Sequence, residues 1–134
     1  MKTYPLHIGT PDGMKFEGEV ERVKLRTITG DLAILAGHVN YCTAIGMGEA
    51  YVRMEDGSER YAACIGGMLS VMNGTCHLLS TTWEWKEDID IERAKASKAR
   101  SEAILAEENL DPTARHLAEA ALARAEVRIS VAEG

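Results

Sequence analysis

The stretch Trp85-Lys86-Glu87-Asp88-Ile89-Asp90-Ile91-Glu92-Arg93-Ala94 decides the fold, because the character of the chain changes across it. Eleven of the twelve glycines lie at or before Gly74 and the twelfth is Gly134, so the segment after Lys86 holds no internal residue of that turn-forming kind. Before the break, apolar and polar residues alternate between glycine-marked turns, as in half-buried strands. After it the sequence is rich in Ala, Arg and Glu. These residues favour helix, or at least tolerate it. Two architectures are expected in series: a β domain over 1–86, either a sandwich or a closed barrel, then a helical hairpin over 87–134.

Working back from the break, Asn73-Gly74 joins strands at 68–72 and 75–80, and Asp56-Gly57 joins strands at 49–54 and 60–65; both dipeptides suit tight hairpin turns. Gly66-Gly67 between them reads as a bulge or a close approach of two backbones. Further back, residues 41–45 and 32–35 form short strands around the loop Ala36-Gly37-His38. Residues 20–27 alternate, with Val23, Leu25 and Thr27 on one face and Arg22, Lys24 and Arg26 on the other. The turn Thr10-Pro11-Asp12-Gly13 links strands at 4–9 and 14–18: Pro pre-sets one φ and Gly supplies a positive one.

Working forward, Asp90 is placed to cap a helix running to about residue 108, with Asp88 and Glu92 favourable at its positive end. Asn109-Leu110-Asp111-Pro112 ends that helix and starts a second, which runs to about residue 131 with Asp111 as cap and Pro112 in the first turn. The short connection implies an antiparallel pair. The second helix carries the stripe Ala114, Ala118, Ala121, Leu122, Ala125 and Ile129. Alanines bury little area, and at roughly 25 cal/mol per Å² such a face docks weakly. Two readings stay open: a hairpin that rearranges at modest cost, and a tight permanent seam.

Composition narrows the function. The net charge is −6 and acidic residues are spread over both halves, which argues against a nucleic-acid surface, since that needs a basic patch. The apolar runs are too short to span a bilayer and no secretory pattern opens the sequence. Cys42, Cys64 and Cys76 are odd in number and contain no CxxC pair, the pattern of buried free thiols in a reducing compartment. No catalytic constellation is present: a nucleophile elbow, a P-loop and a zinc-helix motif are all missing. His7, His38, His77 and His116 are scattered, with no grouping typical of metal ligands. His7 and His77 read as surface or hydrogen-bonded core residues of strands, and His38 as a loop residue. Arg93 and Arg100 share one face of the first helix, and Arg124 and Arg128 one face of the second. Those cations either converge on one anionic ligand or form ordinary ion pairs with Glu92, Glu119 or Glu126.

Five segments in order carry a resemblance over essentially the whole chain: Thr10-Pro11-Asp12-Gly13, Gly30-Asp31-Leu32-Ala33-Ile34-Leu35-Ala36-Gly37-His38, Thr43-Ala44-Ile45, Gly66-Gly67-Met68-Leu69-Ser70-Val71, and Asp88-Ile89-Asp90-Ile91-Glu92-Arg93-Ala94. Together they resemble the epsilon subunit of the bacterial F-type ATP synthase (delta in mitochondrial naming). The resemblance implies an N-terminal two-sheet β-sandwich and a C-terminal antiparallel two-helix hairpin. It also implies a non-catalytic rotor subunit of the central stalk, peripheral to the cytoplasmic face of the bacterial plasma membrane. Its partners would be the gamma subunit and the c-subunit ring. An extended hairpin would reach the alpha/beta catalytic head and restrain ATP hydrolysis.

The resemblance also assigns residues. Asp31 and His38 match a loop region that meets the c ring, and Thr10 and Thr43 match positions near the gamma interface. No cofactor is required, but some members bind ATP as a regulatory ligand in the folded-down hairpin. The corresponding set here is Glu84, Ile89, Asp90, Arg93, Ala94, Arg100, Arg124 and Arg128. Departures from the family pattern include Ala33 where Gly is common, Ala36 and Asn40 where Pro is common, and Leu117 where an ATP-binding member carries Arg. The alternatives are a stand-alone ATP-binding sensor module and a small sandwich enzyme, the latter without a supporting constellation.

Overall fold

The computed structural model describes residues 2–134. Seven strands precede two helices: β1 (Tyr4–Thr10), β2 (Gly13–Thr27), β3 (Gly30–Leu35), β4 (Tyr41–Ala44), β5 (Met47–Met54), β6 (Glu59–Met72), β7 (Thr75–Trp85), α1 (Ile91–Leu105) and α2 (Pro112–Glu133). A 3-10 turn, Lys86–Asp88, follows β7. The chain divides into two compact units between Lys86 and Glu87.

In the first unit the hydrogen-bonded order is β1-β7-β6-β5-β2-β3, with β4 on β6, and β1 also pairs with β2. Only β1 and β7 run parallel among these pairs. The layers of the sandwich share strands. β2 pairs with β1 through its first half and with β3 and β5 through its second. β6 pairs with β5 as far as Ile65 and with β4 from Met68.

Long strands replace two expected pairs of short ones. Residues 14–18 and 20–27 belong to the single strand β2, because the register shift at Glu21 bends the strand without ending it. Residues 60–65 and 68–72 belong to β6, which passes through Gly66 and Gly67 at φ values of 72° and 121°. A Cβ built on Gly67 would lie 2.1 Å from the Leu79 carbonyl oxygen, so the two backbones meet where only glycine fits. β7 continues past residue 80, its last turns pairing with residues 62–65 and burying Trp83 and Trp85.

The core follows the strand period. Val23, Leu25 and Thr27 point inward while Lys24 and Arg26 are exposed; Cys76, Leu78 and Ser80 point inward while His77 and Leu79 are exposed. Leu6, Ile8, Ile34, Val52 and Leu69 complete the centre. The buried Tyr4 hydroxyl donates to the Ile34 carbonyl at 2.7 Å and accepts from the Val23 N–H at 3.1 Å. Burial, and then the neighbouring Cys76 thiol, push the Tyr4 phenol pKa well above its ordinary range. Cys64 and Cys76 are buried free thiols, but Cys42, expected to be buried, is exposed on β4. β4 presents Thr43 to the interior, and the alternate position faces out.

In the second unit Asp90 caps α1 by accepting the Arg93 N–H, and Asp111 caps α2 by accepting the N–H groups of Thr113 and Ala114. α1 ends at Leu105, three residues short of the expected 108: the Ala106 N–H still makes a helical bond to Glu102, but the Glu107 N–H tightens onto Ile104, three residues back, and Asn109 takes φ 58°. α2 runs to Glu133, two residues beyond expectation. The helices pack on each other. Lys95 Nζ lies 3.4 Å from Glu133 Oε2, joining the start of α1 to the end of α2 and fixing the antiparallel sense. The residues buried here are Ala94, Ser101, Ala118, Ala125 and Val131, whereas Leu117 is exposed. Of the expected stripe, Ala114, Ala121, Leu122 and Ile129 are half-buried.

Candidate functional site

Two adjacent rows cross the outer face of the first unit. The register pairs Ala44 with Met68, Met68 with Leu79, Leu79 with Gly9, and Gly9 with Met14, so one apolar row runs over β4, β6, β7, β1 and β2. Met14, Met68 and Leu79 in it are 60%, 46% and 65% exposed. The second row pairs Cys42 with Ser70, Ser70 with His77, His77 with His7, and His7 with Glu17.

Thr10 stands at the end of the apolar row. Its hydroxyl accepts the Asp12 N–H and donates to the Gly13 carbonyl, each at 3.2 Å, and so closes the β1–β2 turn. Together with Gly9, Pro11, Leu79, Ser80 and Thr81 it lines an open cleft of about 350 Å³. Thr43 lies on β4, but its side chain is buried opposite Leu69.

Asp31 and His38, expected in one loop region, lie toward opposite ends of β3. Asp31 belongs to the strand itself, paired with Arg26 across β2, and its Oδ1 lies 3.5 Å from Arg26 Nε. His38 follows the other end: its N–H donates to the Leu35 carbonyl, its Nδ1 lies 2.8 Å from the Val39 carbonyl, and its ring is 6.1 Å from Tyr41. Exposed apolar side chains flank both ends, Ile28 near Asp31 and Leu35 and Val39 near His38.

The nucleotide set divides between the units. Glu84 is half-buried on β7, opposite Ala63. In the second unit, Ile89 is half-buried ahead of α1, Asp90 is the cap, Arg93 is exposed in the first turn, and Ala94 is buried. Arg100 is exposed on α1, while Arg124 and Arg128 are half-buried on α2.

β5 and the first part of β6 hold a polar network unsignalled by any motif. Tyr51 Oη donates to Glu59 and accepts from Arg53 at 3.1 Å; Arg53 also reaches Glu59 at 3.0 Å, and Tyr61 donates to the same carboxylate at 3.1 Å. The Tyr51 and Arg53 hydrogen bonds hold the Glu59 carboxyl below its usual range. Arg60 lies over the Trp85 ring at 3.7 Å.

Known proteins share this arrangement along its whole length. Residues 3–86 match the family of the ATP synthase delta/epsilon chain β-sandwich domain, and residues 87–133 match that of its long α-helix domain. An ATP synthase epsilon chain of Caldicellulosiruptor bescii is 38% identical over 133 residues, covering 99% of this chain and 96% of that one. One of Staphylococcus aureus is also 38% identical, covering 99% and 98%. In fold, the chain resembles one in the Euglena gracilis mitochondrial ATP synthase OSCP/F1/c-ring structure, with TM-score 0.84 and 22% identity over 98% of this chain and 82% of that one. Sandwich, hairpin and full-length similarity agree: this chain belongs to the ATP synthase delta/epsilon family.

Proposed function

We propose that this chain is a non-catalytic rotor subunit that couples c-ring and gamma rotation to ATP synthesis, and that its hairpin restrains ATP hydrolysis. The observation that carries this reading is the two-unit build, with a well-packed sandwich and a hairpin whose buried residues are mostly small. The sandwich supplies the grip. The apolar row through Met14, Leu79 and Met68 beside Thr10 suits a gamma subunit, since a row of this kind gains from being covered. The two ends of β3, with Asp31 at one and His38 at the other, are the segments assigned to the c ring. No helix among the described residues is long and apolar enough to cross a membrane. In this reading the chain is held at the cytoplasmic face of the plasma membrane by those partners.

The hairpin supplies the regulation. Two arrangements, packed down or extended toward the alpha/beta head, exchange populations, and a ligand shifts them only as far as it prefers one. ATP is the proposed regulatory ligand of the packed-down form, held by Glu84, Ile89, Asp90, Arg93, Ala94, Arg100, Arg124 and Arg128. Relief of inhibition by ATP follows. Mixing the chain with gamma on a sizing column tests the rotor role: co-elution supports it, and separate elution points to a stand-alone nucleotide sensor. Calorimetry with ATP, with and without Arg93→Ala, tests the ligand: heat that the substitution removes supports the site, and no heat at millimolar ATP removes it while leaving the rotor role intact.

A further inference from the structure

We propose that Glu17, His7 and His77 form a binding site for a divalent transition-metal cation on the outer face of the sandwich. The three occupy one register row on three neighbouring strands: His7 on β1 lies opposite Glu17 on β2, and opposite His77 on β7. The His7 and His77 rings stack with centroids 4.9 Å apart and planes at 15°. His7 Nδ1 lies 3.6 Å from Glu17 Oε1. Two imidazoles and a carboxylate are therefore gathered on adjacent backbones, which in a sheet stand about 4.8 Å apart.

Ligand bonds of about 2.0–2.2 Å to a shared ion lie within reach of side chains on such neighbours. Among the described residues, no three ligating side chains already surround a common point, so the rings must turn from their stacked position to converge. His77 and Glu17 are exposed and His7 is half-buried, so the movement takes place at the surface and leaves the core packing in place. Two nitrogens and one oxygen suit Zn²⁺ or Cu²⁺ and do not suit Mg²⁺, which takes oxygen ligands. Water fills the remaining positions, as in open zinc sites. The bound ion ties β2, β1 and β7 together beside the apolar row, and stabilises the folded chain by mass action.

The test uses the full chain carrying Cys42→Ser, which removes the exposed thiol two strands along the same row as a competing soft ligand. Calorimetry with ZnCl₂, CuCl₂ and MgCl₂ is expected to give one site per chain, tighter for Cu²⁺ than Zn²⁺, with no heat from Mg²⁺. His7→Ala and His77→Ala should each weaken Zn²⁺ by more than about tenfold, since even outer-shell changes cost that much. Histidine ring NMR signals of the unsubstituted imidazoles, followed during Zn²⁺ addition, identify the ligands without relying on the alanine variants. Shifts at His7 and His77 support the site. No heat at millimolar Zn²⁺, or shifts at His38 or His116 with His7 and His77 unmoved, would overturn it.

Discussion

Asp90 Oδ1 accepts the backbone N–H of Arg93 at 3.1 Å, so two of the residues proposed to hold ATP already have a structural task as the cap of α1. The contact uses the Arg93 main chain and leaves its guanidinium to other roles. Asp90→Ala is expected to lower hairpin stability by about 1 kcal/mol, and Asp90→Asn by much less, because Asn also caps. Thermal melts followed by far-UV circular dichroism check this. Arg93→Ala keeps the N–H and should leave the melt nearly unchanged, so any loss of ATP binding in that variant reports the ligand rather than the fold.

Gly67 sets the crossing of β6 and β7. Gly67→Ala would force a methyl group against the Leu79 carbonyl at a φ of 121°, with backbone on both sides unable to swing away. The expected cost is more than about 2 kcal/mol. Both tryptophans lie on β7, so urea unfolding followed by their fluorescence reads the sandwich directly. Gly66→Ala faces only the Thr81 side chain, at 3.4 Å, and should cost less.

The thiols separate by exposure. One maleimide per native chain should add, at Cys42, and three in denaturant. Burial raises the Cys64 thiol to about 11 and the Cys76 thiol to about 12, from an ordinary 9.0. Burial disfavours the thiolate, so the folded chain holds these protons more tightly than the unfolded chain does. Their contribution is complete below about pH 9 and is lost as the pH rises through 11 and 12. Tyr4, also raised, acts in the same direction. Denaturation midpoints measured from pH 8 upward should therefore fall on the alkaline side, and a flat profile would contradict this.

Asp31 and Arg26 form an exposed pair, worth little to the fold. Asp31→Lys should leave the melt within about 0.5 kcal/mol of the parent. It is nevertheless expected to weaken assembly with the c ring, read by co-purification; unaltered assembly would remove Asp31 from that interface.

Local signals carried most of the fold. Asp56-Gly57, Asn73-Gly74 and the caps Asp90 and Asp111 each act over a few residues, so their elements stand where the spacing puts them. Glu21 and Gly66-Gly67 were harder to read, because a bulge and a chain end leave similar marks and only the partner strand tells them apart. The end of α1 depended on Asn109 adopting a left-handed conformation, which composition does not require. The pairing of His7 with His77 was hidden altogether: it arises from parallel contact between the first and last strands, seventy residues apart. The Tyr51, Arg53, Glu59 and Tyr61 network was hidden for a related reason, since its four members meet as two pairs across the β5–β6 register and no motif marks them.

The central claim is that the hairpin restrains the motor while the sandwich holds the stalk. ATP hydrolysis by a synthase reconstituted with the full chain, compared with one carrying only residues 1–86, tests it most directly. Equal assembly and faster hydrolysis without the hairpin are expected. Equal assembly with unchanged or slower hydrolysis would contradict the account.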